Sequence, residues 1–200
     1  MYAAALRRPA PWTPVLLLCL LALLTGCGIN TIPTLEEEVN ADWAQVQNQY
    51  QRRADLIPNL VETVKGYAQQ EKEVLTAVTE ARAKVAQMQL PPDILTNQEA
   101  FKQFEQNQAQ LTGALGRLLV VVEQYPELRS NQNFLALQSQ LEGTENRISV
   151  ARRDYIQAVQ RYNTEIRTFP GRLWAMVYGA EAKANFTASA GAEQAPRVSF

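Results

Sequence analysis

Two sets of side chains in this sequence have the type and spacing to do chemistry. The first is one cysteine, Cys27, which closes the stretch Leu24-Thr25-Gly26-Cys27. It follows ten apolar residues, Val15 to Leu24, with Arg7 and Arg8 upstream and Pro9, Pro11 and Pro14 between. That run is too short for a spanning helix of roughly 20 residues and fits the roughly 7–15 of a secretory signal's central region. The small residues before Cys27 match the lipobox of bacterial lipoproteins. The expectation is therefore a signal peptide over residues 1–26, cut before Cys27, with lipid joined to the Cys27 thiol. Gly28 stands where an Asp would hold such a protein at the inner membrane, which tilts the expected site towards the outer membrane. The second set is carboxylates on helical faces, Glu71 with Glu142 or Glu145, which could hold a cation or take a proton.

The composition excludes more than it allows. The chain has no histidine and two cysteines, Cys19 and Cys27, of which the first leaves with the signal. Without histidine there is no Ser-His or Cys-His nucleophile, no histidine-built zinc site and no Glu-x-x-His di-iron pair. No phosphate-cradling or dinucleotide fingerprint occurs. Cleavage removes Arg7 and Arg8 from 19 basic residues set against 20 acidic ones, so the mature chain is acidic and nucleic acid is not an expected partner. No metal is expected, and no cofactor beyond the lipid on Cys27.

The elements that must position these groups are helices. Thr34-Leu35-Glu36-Glu37 reads as a capping box. From there apolar residues step by alternating fours and threes: Val39, Trp43, Val46, Tyr50, Arg53, Ile57, Leu60, Val64, Tyr67, Glu71, Val74, Val78, Ala81, Val85, Met88. A mean step of 3.5 belongs to left-handed supercoiled packing. Pro58 falls inside this seam, yet the seam keeps phase across it. The element is either one long helix kinked at Pro58 or two helices broken near residues 55–58, and the kept phase favours the kink.

Leu90-Pro91-Pro92-Asp93 ends it, and Thr96 to Glu99 reads as a second capping box. The next seam is Phe101, Phe104, Gln108, Leu111, Leu115, Leu118, Val122 and Tyr125, closed by Pro126. Ser130 or Asn131 can cap a third long helix. Its seam is Phe134, Leu137, Leu141, Thr144, Ile148, Ala151, Tyr155, Ala158, Tyr162, Glu165 or Ile166, and Phe169, stopped by Pro170-Gly171. Arg172 to Phe186 can add a last helical turn or two. Gly113 and Gly143 fall opposite each other about the 125–131 turn, which suggests a close helix crossing. The predicted fold is all-α: an antiparallel up-and-down bundle of three to four long helices with coiled-coil-like packing. It occupies residues 34–186, after a lipid-anchored linker, 27–33, and before a disordered tail, 187–200.

Several separated motifs resemble the LemA family. They are Asn48-Gln49-Tyr50-Gln51-Arg52-Arg53-Ala54-Asp55-Leu56-Ile57-Pro58-Asn59-Leu60-Val61, then Val64-Lys65-Gly66-Tyr67, then Glu123-Gln124-Tyr125-Pro126-Glu127-Leu128. Asn133-Phe134, Leu137-Gln138, Thr144-Glu145-Asn146-Arg147-Ile148 and Ala151-Arg152-Arg153-Asp154-Tyr155 continue in order, and Tyr162-Asn163-Thr164 and Phe169-Pro170 complete it. The resemblance runs over about residues 31–186. It implies a membrane-anchored helical bundle with its domain outside the cytoplasm, and no agreed catalytic residues. Two departures stand out: a lipobox replaces the uncleaved N-terminal span, and Ile156 stands where an Asn often follows the tyrosine.

The motif residues are the candidate interaction or structural positions: Tyr50, Arg52, Arg53, Asp55, Pro58, Asn59, Tyr125, Pro126, Glu145, Asn146, Arg147, Arg152, Tyr155, Tyr162, Asn163, Phe169 and Pro170. Around Pro58, the structural reading is that Arg52, Arg53 and Asp55 satisfy backbone groups freed by the proline. Glu145-Asn146-Arg147 and Glu71 read as polar layers that fix helix register. The six basic residues from Arg147 to Arg172, beside Phe169, Leu173, Trp174, Met176, Val177 and Tyr178, are either a solvated face or a membrane-surface patch. Three functions remain in view. The leading one is a non-enzymatic envelope lipoprotein that binds other envelope proteins as scaffold or adaptor, with self-association open. The others are a carboxylate-based metal protein or enzyme, and a membrane-shaping protein acting through its basic C-terminal region.

Overall fold

A computed structural model of the chain describes residues 28–187. Six helices follow in order: α1 (Thr31–Lys65), α2 (Lys72–Gln87), α3 (Gln98–Val122), the single turn α4 (Pro126–Arg129), α5 (Gln132–Glu165) and α6 (Gly171–Tyr178). There is no strand among the described residues. The four long helices run up, down, up and down. Glu145 of α5 meets Arg53 of α1, and Arg161 meets Glu38, so α1 and α5 are antiparallel. Arg82 of α2 reaches back to Ala54 of α1. Trp43 packs on Phe101, and Tyr50 on Phe104, which sets α3 parallel to α1. The fold is thus the antiparallel bundle expected from the seams. Its most extensive packing is α1 on α5, two rods of 35 and 34 residues, each about 50 Å long at 1.5 Å per residue.

The seams form the core nearly residue for residue. Val39, Trp43, Val46, Tyr50, Arg53, Ile57, Leu60 and Val64 of α1 are buried, as are Phe101, Phe104, Gln108, Leu111, Leu115, Leu118 and Val122 of α3. In α5 the buried set includes Phe134, Leu141, Thr144, Ile148, Ala151, Tyr155, Ala158 and Tyr162. Three seam positions depart from expectation. Tyr67 is 43% exposed and Phe169 82% exposed, because both lie beyond the ends of helices. Glu71 is the cap position before α2 rather than a helix-interior residue.

Helix boundaries show where tertiary packing overrode local signals. α1 starts at Thr31 inside the expected linker, because Ile32 is fully buried and extends the seam by a turn. Asn30 becomes the cap position without a side-chain bond, and the Thr34 hydroxyl donates to the Asn30 carbonyl instead of closing a capping box. The second cap is shifted by one residue: the Asn97 side chain accepts from the Ala100 amide, while the Thr96 hydroxyl donates to the Asp93 carbonyl. Asn131 caps α5 through the Phe134 amide.

Pro58 neither ends the helix nor forces a break at 55–58: α1 passes through it to Lys65. The break comes at Gly66–Glu71, and α2 starts after it. The expected Gly113–Gly143 crossing is absent. A Cβ on Gly113 would meet nothing within 4 Å, and one on Gly143 would meet only the tip of Arg147. Gly171 is the glycine that packing requires, since a Cβ there would stand 2.3 Å from the Glu165 carbonyl oxygen. After Gly179, in the left-handed region at φ 62 that favours glycine, residues 180–187 run as an extended strap along the bundle. The sequence predicts a last helical turn or two over 172–186 and a disordered tail from 187; residues 180–187 instead lie extended against the bundle, with Ala184 fully buried and Thr187 bonded to Glu105.

Candidate functional site

The centre of the bundle is a polar layer. Arg53 sits on an inward position of α1 and is 1% exposed. Its Nη1 donates to Thr112 Oγ1 at 2.8 Å and to Glu145 Oε1 at 3.0 Å. Its Nη2 donates to Gln108 Oε1 at 2.6 Å and to the Gln108 carbonyl at 3.3 Å. The guanidinium also lies 5.0 Å from the Tyr50 ring centre, and its Nε has no partner among protein atoms. A buried cation is tolerable only when its donors are paired. Here α3 and α5 supply those partners, so one side chain ties three helices. Thr144, fully buried beside it, donates to the Gln140 carbonyl and accepts from Arg147.

This layer divides the core. On one side lie Trp43, Phe101, Phe104, Tyr155 and Tyr162 with their neighbours; on the other lie Ile57, Leu60, Leu111, Leu115, Leu118 and Val122. Glu145 is thus engaged in this polar layer through Arg53. Asn146 and Arg147 are exposed on the outer face, where Arg147 donates to Gln49.

The Pro58 neighbourhood is satisfied differently from expectation. Proline has no amide to give to the Ala54 carbonyl four residues back. That carbonyl accepts instead from Arg82 Nε at 3.0 Å, across from α2. Arg52 is exposed, Asp55 accepts from Gln51, and the Asn59 carbonyl accepts from the Thr63 hydroxyl. Neither Arg52 nor Asp55 fills the gap, and Arg53 does not either, since its guanidinium bonds Thr112, Glu145 and Gln108. The signal for Arg82 was its helical position on the α2 flank facing α1, which only the folded chain reveals.

The turn motif at Tyr125-Pro126 closes the end of the bundle away from the N-terminus. Pro126 opens α4, whose Leu128 is fully buried. Tyr125 donates to Glu71 at 2.9 Å, and Asn131 donates to the Tyr67 hydroxyl at 2.9 Å, so this turn and the Gly66–Glu71 joint hold each other. That bond to the carboxylate raises the Tyr125 pKa above its ordinary value. Glu71 is thus occupied here and Glu145 at the polar layer. No group of three or more carboxylates close enough to share a metal occurs among the described residues.

The remaining motif residues converge on the strap. Tyr155 donates to the Ala184 carbonyl at 2.7 Å. Asn163 donates to the Lys183 carbonyl at 2.9 Å and accepts from the Lys183 amide at 2.8 Å, as a backbone strand would. The Arg152 guanidinium lies 4.2 Å from the Phe186 ring centre and pairs with Glu105, which also accepts from Thr187. Lys183 pairs with Glu36 and stands over the Tyr162 ring. Phe186 then completes an aromatic cluster, 5.0 Å from Phe101 and 5.5 Å from Tyr155. Burial pushes the Tyr155 hydroxyl well above its ordinary range. Burial, then Glu36 and Glu181, raises Tyr162 to about 12, and its hydroxyl has no protein partner. Sequence reasoning missed Lys183, Ala184 and Phe186 because a strap of short extended backbone has no periodicity.

Phe169 and Pro170 lie at the other end of the molecule from Tyr125. Pro170 is the cap position of α6 and Phe169 is exposed beside it. Cys27 and residues 1–26, and the tail from 188 onward, lie outside the described residues. No helix among the described residues is long and apolar enough to cross a membrane.

The model of the LemA family matches residues 42–200. Magnetosome protein MamQ 2 of Paramagnetospirillum magneticum (strain AMB-1) is 28% identical, over 75% of this chain and 61% of its own length. Magnetosome protein MamQ of Magnetospirillum gryphiswaldense is 25% identical over the same shares. Protein LemA of Metamycoplasma hominis is 23% identical over 67% of this chain and 57% of its own. The matched segment spans about three fifths of these relatives' length.

Proposed function

The chain belongs to the LemA family, and from that premise we propose that it is a non-enzymatic envelope lipoprotein. Lipid on Cys27 holds it at a bacterial membrane, with the bundle outside the cytoplasm and the outer membrane favoured by Gly28. The bundle acts as scaffold or adaptor for other envelope proteins. One observation carries this reading: the polar residues that could do chemistry are consumed as internal ties. Arg53, Glu145, Glu71, Tyr155 and Asn163 each bond another part of the same chain. What the molecule offers outward is shape. Between α3 and α5 a mostly apolar groove of about 450 Å3 opens, lined by Leu115, Gly116, Leu119, Gln138, Leu141 and Glu142.

Photo-crosslinkers at Leu119 and Gln138 in cells test the adaptor role. The expected result is a discrete adduct with an envelope protein that disappears with Leu119→Asp. A folded, abundant protein that gives no adduct at either position would overturn it. Metal analysis tests the carboxylate alternative: a stoichiometric metal lost in Glu145→Gln would replace the adaptor reading. The anchor is tested separately, since Cys27→Ser should release the protein from membranes.

The membrane-patch alternative changes character. Of its six basic residues, four are engaged within the bundle: Arg147 with Gln49, Arg152 with Glu105, Arg153 with Asp154 and Arg161 with Glu38. Three of the six, Arg152, Arg153 and Arg161, are paired with carboxylates, so half of the stripe is neutralised. Its apolar neighbours are not covered.

A further inference from the structure

We propose that α6 is a second membrane contact, an apolar face that lies on the lipid surface beside the anchor. The inference rests on the lipoprotein reading of Cys27. Leu173, Met176 and Val177 are 52%, 68% and 74% exposed, and Phe169 just before the helix is 82% exposed. Positions 173, 176 and 177 share one face of the helix, and Phe169 lies in the turn before it. The opposite face holds the helix to the bundle: Gly171 and Ala175 are buried.

The occupant of the exposed face follows from what the residues next to Cys27 pack against. Gly28, one residue after Cys27, packs against α6: a Cβ on it would stand 3.3 Å from Trp174 Nε1 and 3.9 Å from Pro170. Tyr178 donates to the Ile29 carbonyl at 3.0 Å. Gly28 is the residue that follows Cys27 in the chain, so a lipid on that thiol would be tethered close to α6 and would bring the bilayer surface within reach of its apolar face. An apolar helical face at such a surface settles roughly 5–10 Å into the headgroup and acyl boundary. Arg167 and Arg172, both exposed, flank it with charge suited to anionic headgroups. Two attachments fix the bundle's orientation, whereas a single lipid would leave it free to swing.

The test uses the full lipidated protein in vesicles of phosphatidylethanolamine and phosphatidylglycerol. Cys19 leaves with the signal and Cys27 is acylated, so Met176→Cys or Val177→Cys carries a unique label; Leu135→Cys, 47% exposed on α5, is the control. Labels at 176 and 177 should be quenched by nitroxides on the acyl chains several-fold more than the label at 135. Equal access of all three to aqueous iodide overturns the proposal. So does shielding that follows protein density rather than the lipid quencher, which would assign the face to a second copy. The anchor is read independently. Release of Cys27→Ser together with unquenched α6 labels sinks this inference and leaves the anchor intact. Retention of Cys27→Ser with quenched labels sinks the anchor and leaves α6 in contact with lipid.

Discussion

The two halves of the bundle solve the same packing problem with different chemistry. The half near the N-terminus is aromatic: Trp43 lies 5.5 Å from Phe101, 5.1 Å from Phe104 and 5.5 Å from Tyr155. The far half is aliphatic, built from Ile57, Leu60, Val64, Leu111, Leu118 and Val122. The aromatic half is covered by the strap, which adds Phe186 and Ala184 to its core. The aliphatic half has no such cover and leaves the α3–α5 groove open. On the aromatic side the strap sets Phe186 against Phe101 and Tyr155; on the far side, among the described residues, Phe134 is the one buried ring beside aliphatic neighbours. The polar layer at Arg53 is the boundary, and the register of each half is set against it.

Removing that boundary should have the largest effect. Arg53→Ala opens a void and leaves Gln108 and Thr112 without their buried donor, while Glu145, whose side chain is 38% exposed, can be hydrated; emptying a site of this size should cost about 3–5 kcal/mol. Urea unfolding should show that loss. Arg53→Met combined with Glu145→Leu should recover most of it, because both charges are gone and volume is kept. A double variant no better than Arg53→Ala would mean that the layer is not an ion-pair boundary.

Truncation then compares the halves directly. Leu118→Ala, at a fully buried site, should cost about 2–5 kcal/mol. Phe186→Ala should cost less, about 1–3 kcal/mol, since its ring is only partly covered. It should also raise hydrogen exchange at the Lys183 and Ala184 amides without touching α2 or α4. Exchange rising throughout would show that the strap is part of one cooperative core rather than a cover.

The Pro58 repair sharpens the account of the far half. Arg82→Ala orphans the Ala54 carbonyl and should cost about 1–3 kcal/mol. Pro58→Ala restores the helical amide, so Arg82→Ala should cost clearly less in that background. Equal cost in both backgrounds would assign Arg82 to packing alone.

The smallest effects belong to two tyrosines. Tyr155→Phe loses its bond to Ala184 and should cost about 1 kcal/mol. Tyr162→Phe removes an unpartnered hydroxyl and should change stability by less than about 0.5 kcal/mol at neutral pH. Tyrosine in the unfolded chain ionises near pH 10, while burial holds Tyr162 neutral to about 12. Stability is therefore intact below about pH 10 and declines as pH rises from there towards about 12. Tyr162→Phe should flatten that alkaline decline; an unchanged pH profile would place the titration elsewhere, with Tyr50 and Tyr155, both raised by burial, the next to replace.

Periodicity made the core legible. An apolar residue every 3.5 positions has one low-energy use, and most inward positions of the seams are legible from spacing alone, Tyr67, Glu71 and Phe169 beyond the helix ends excepted. The same steps put Arg53 and Thr144 at inward positions, yet the sequence predicts the polar layer at Glu145-Asn146-Arg147 and Glu71 and assigns Arg53 to the Pro58 joint; its partners Thr112 and Gln108 come only with the fold. End signals were less legible. The Thr34 capping box was outcompeted by one more turn that buries Ile32, and the helix expected to run on, kinked at Pro58, along the seam to Met88 passes the proline but ends at Lys65, with α2 starting after Gly66–Glu71.

The residues thus determined by themselves an all-helical antiparallel bundle, its inward stripes and its membership in the LemA family, because those depend on spacing along the chain. Tertiary structure decided what the polar and aromatic motif residues hold. Arg53 needs partners from α3 and α5, 55 and 92 positions away, and Tyr155 and Asn163 need the strap. Pairings over such separations depend on how helices are set against one another, and no local pattern records that.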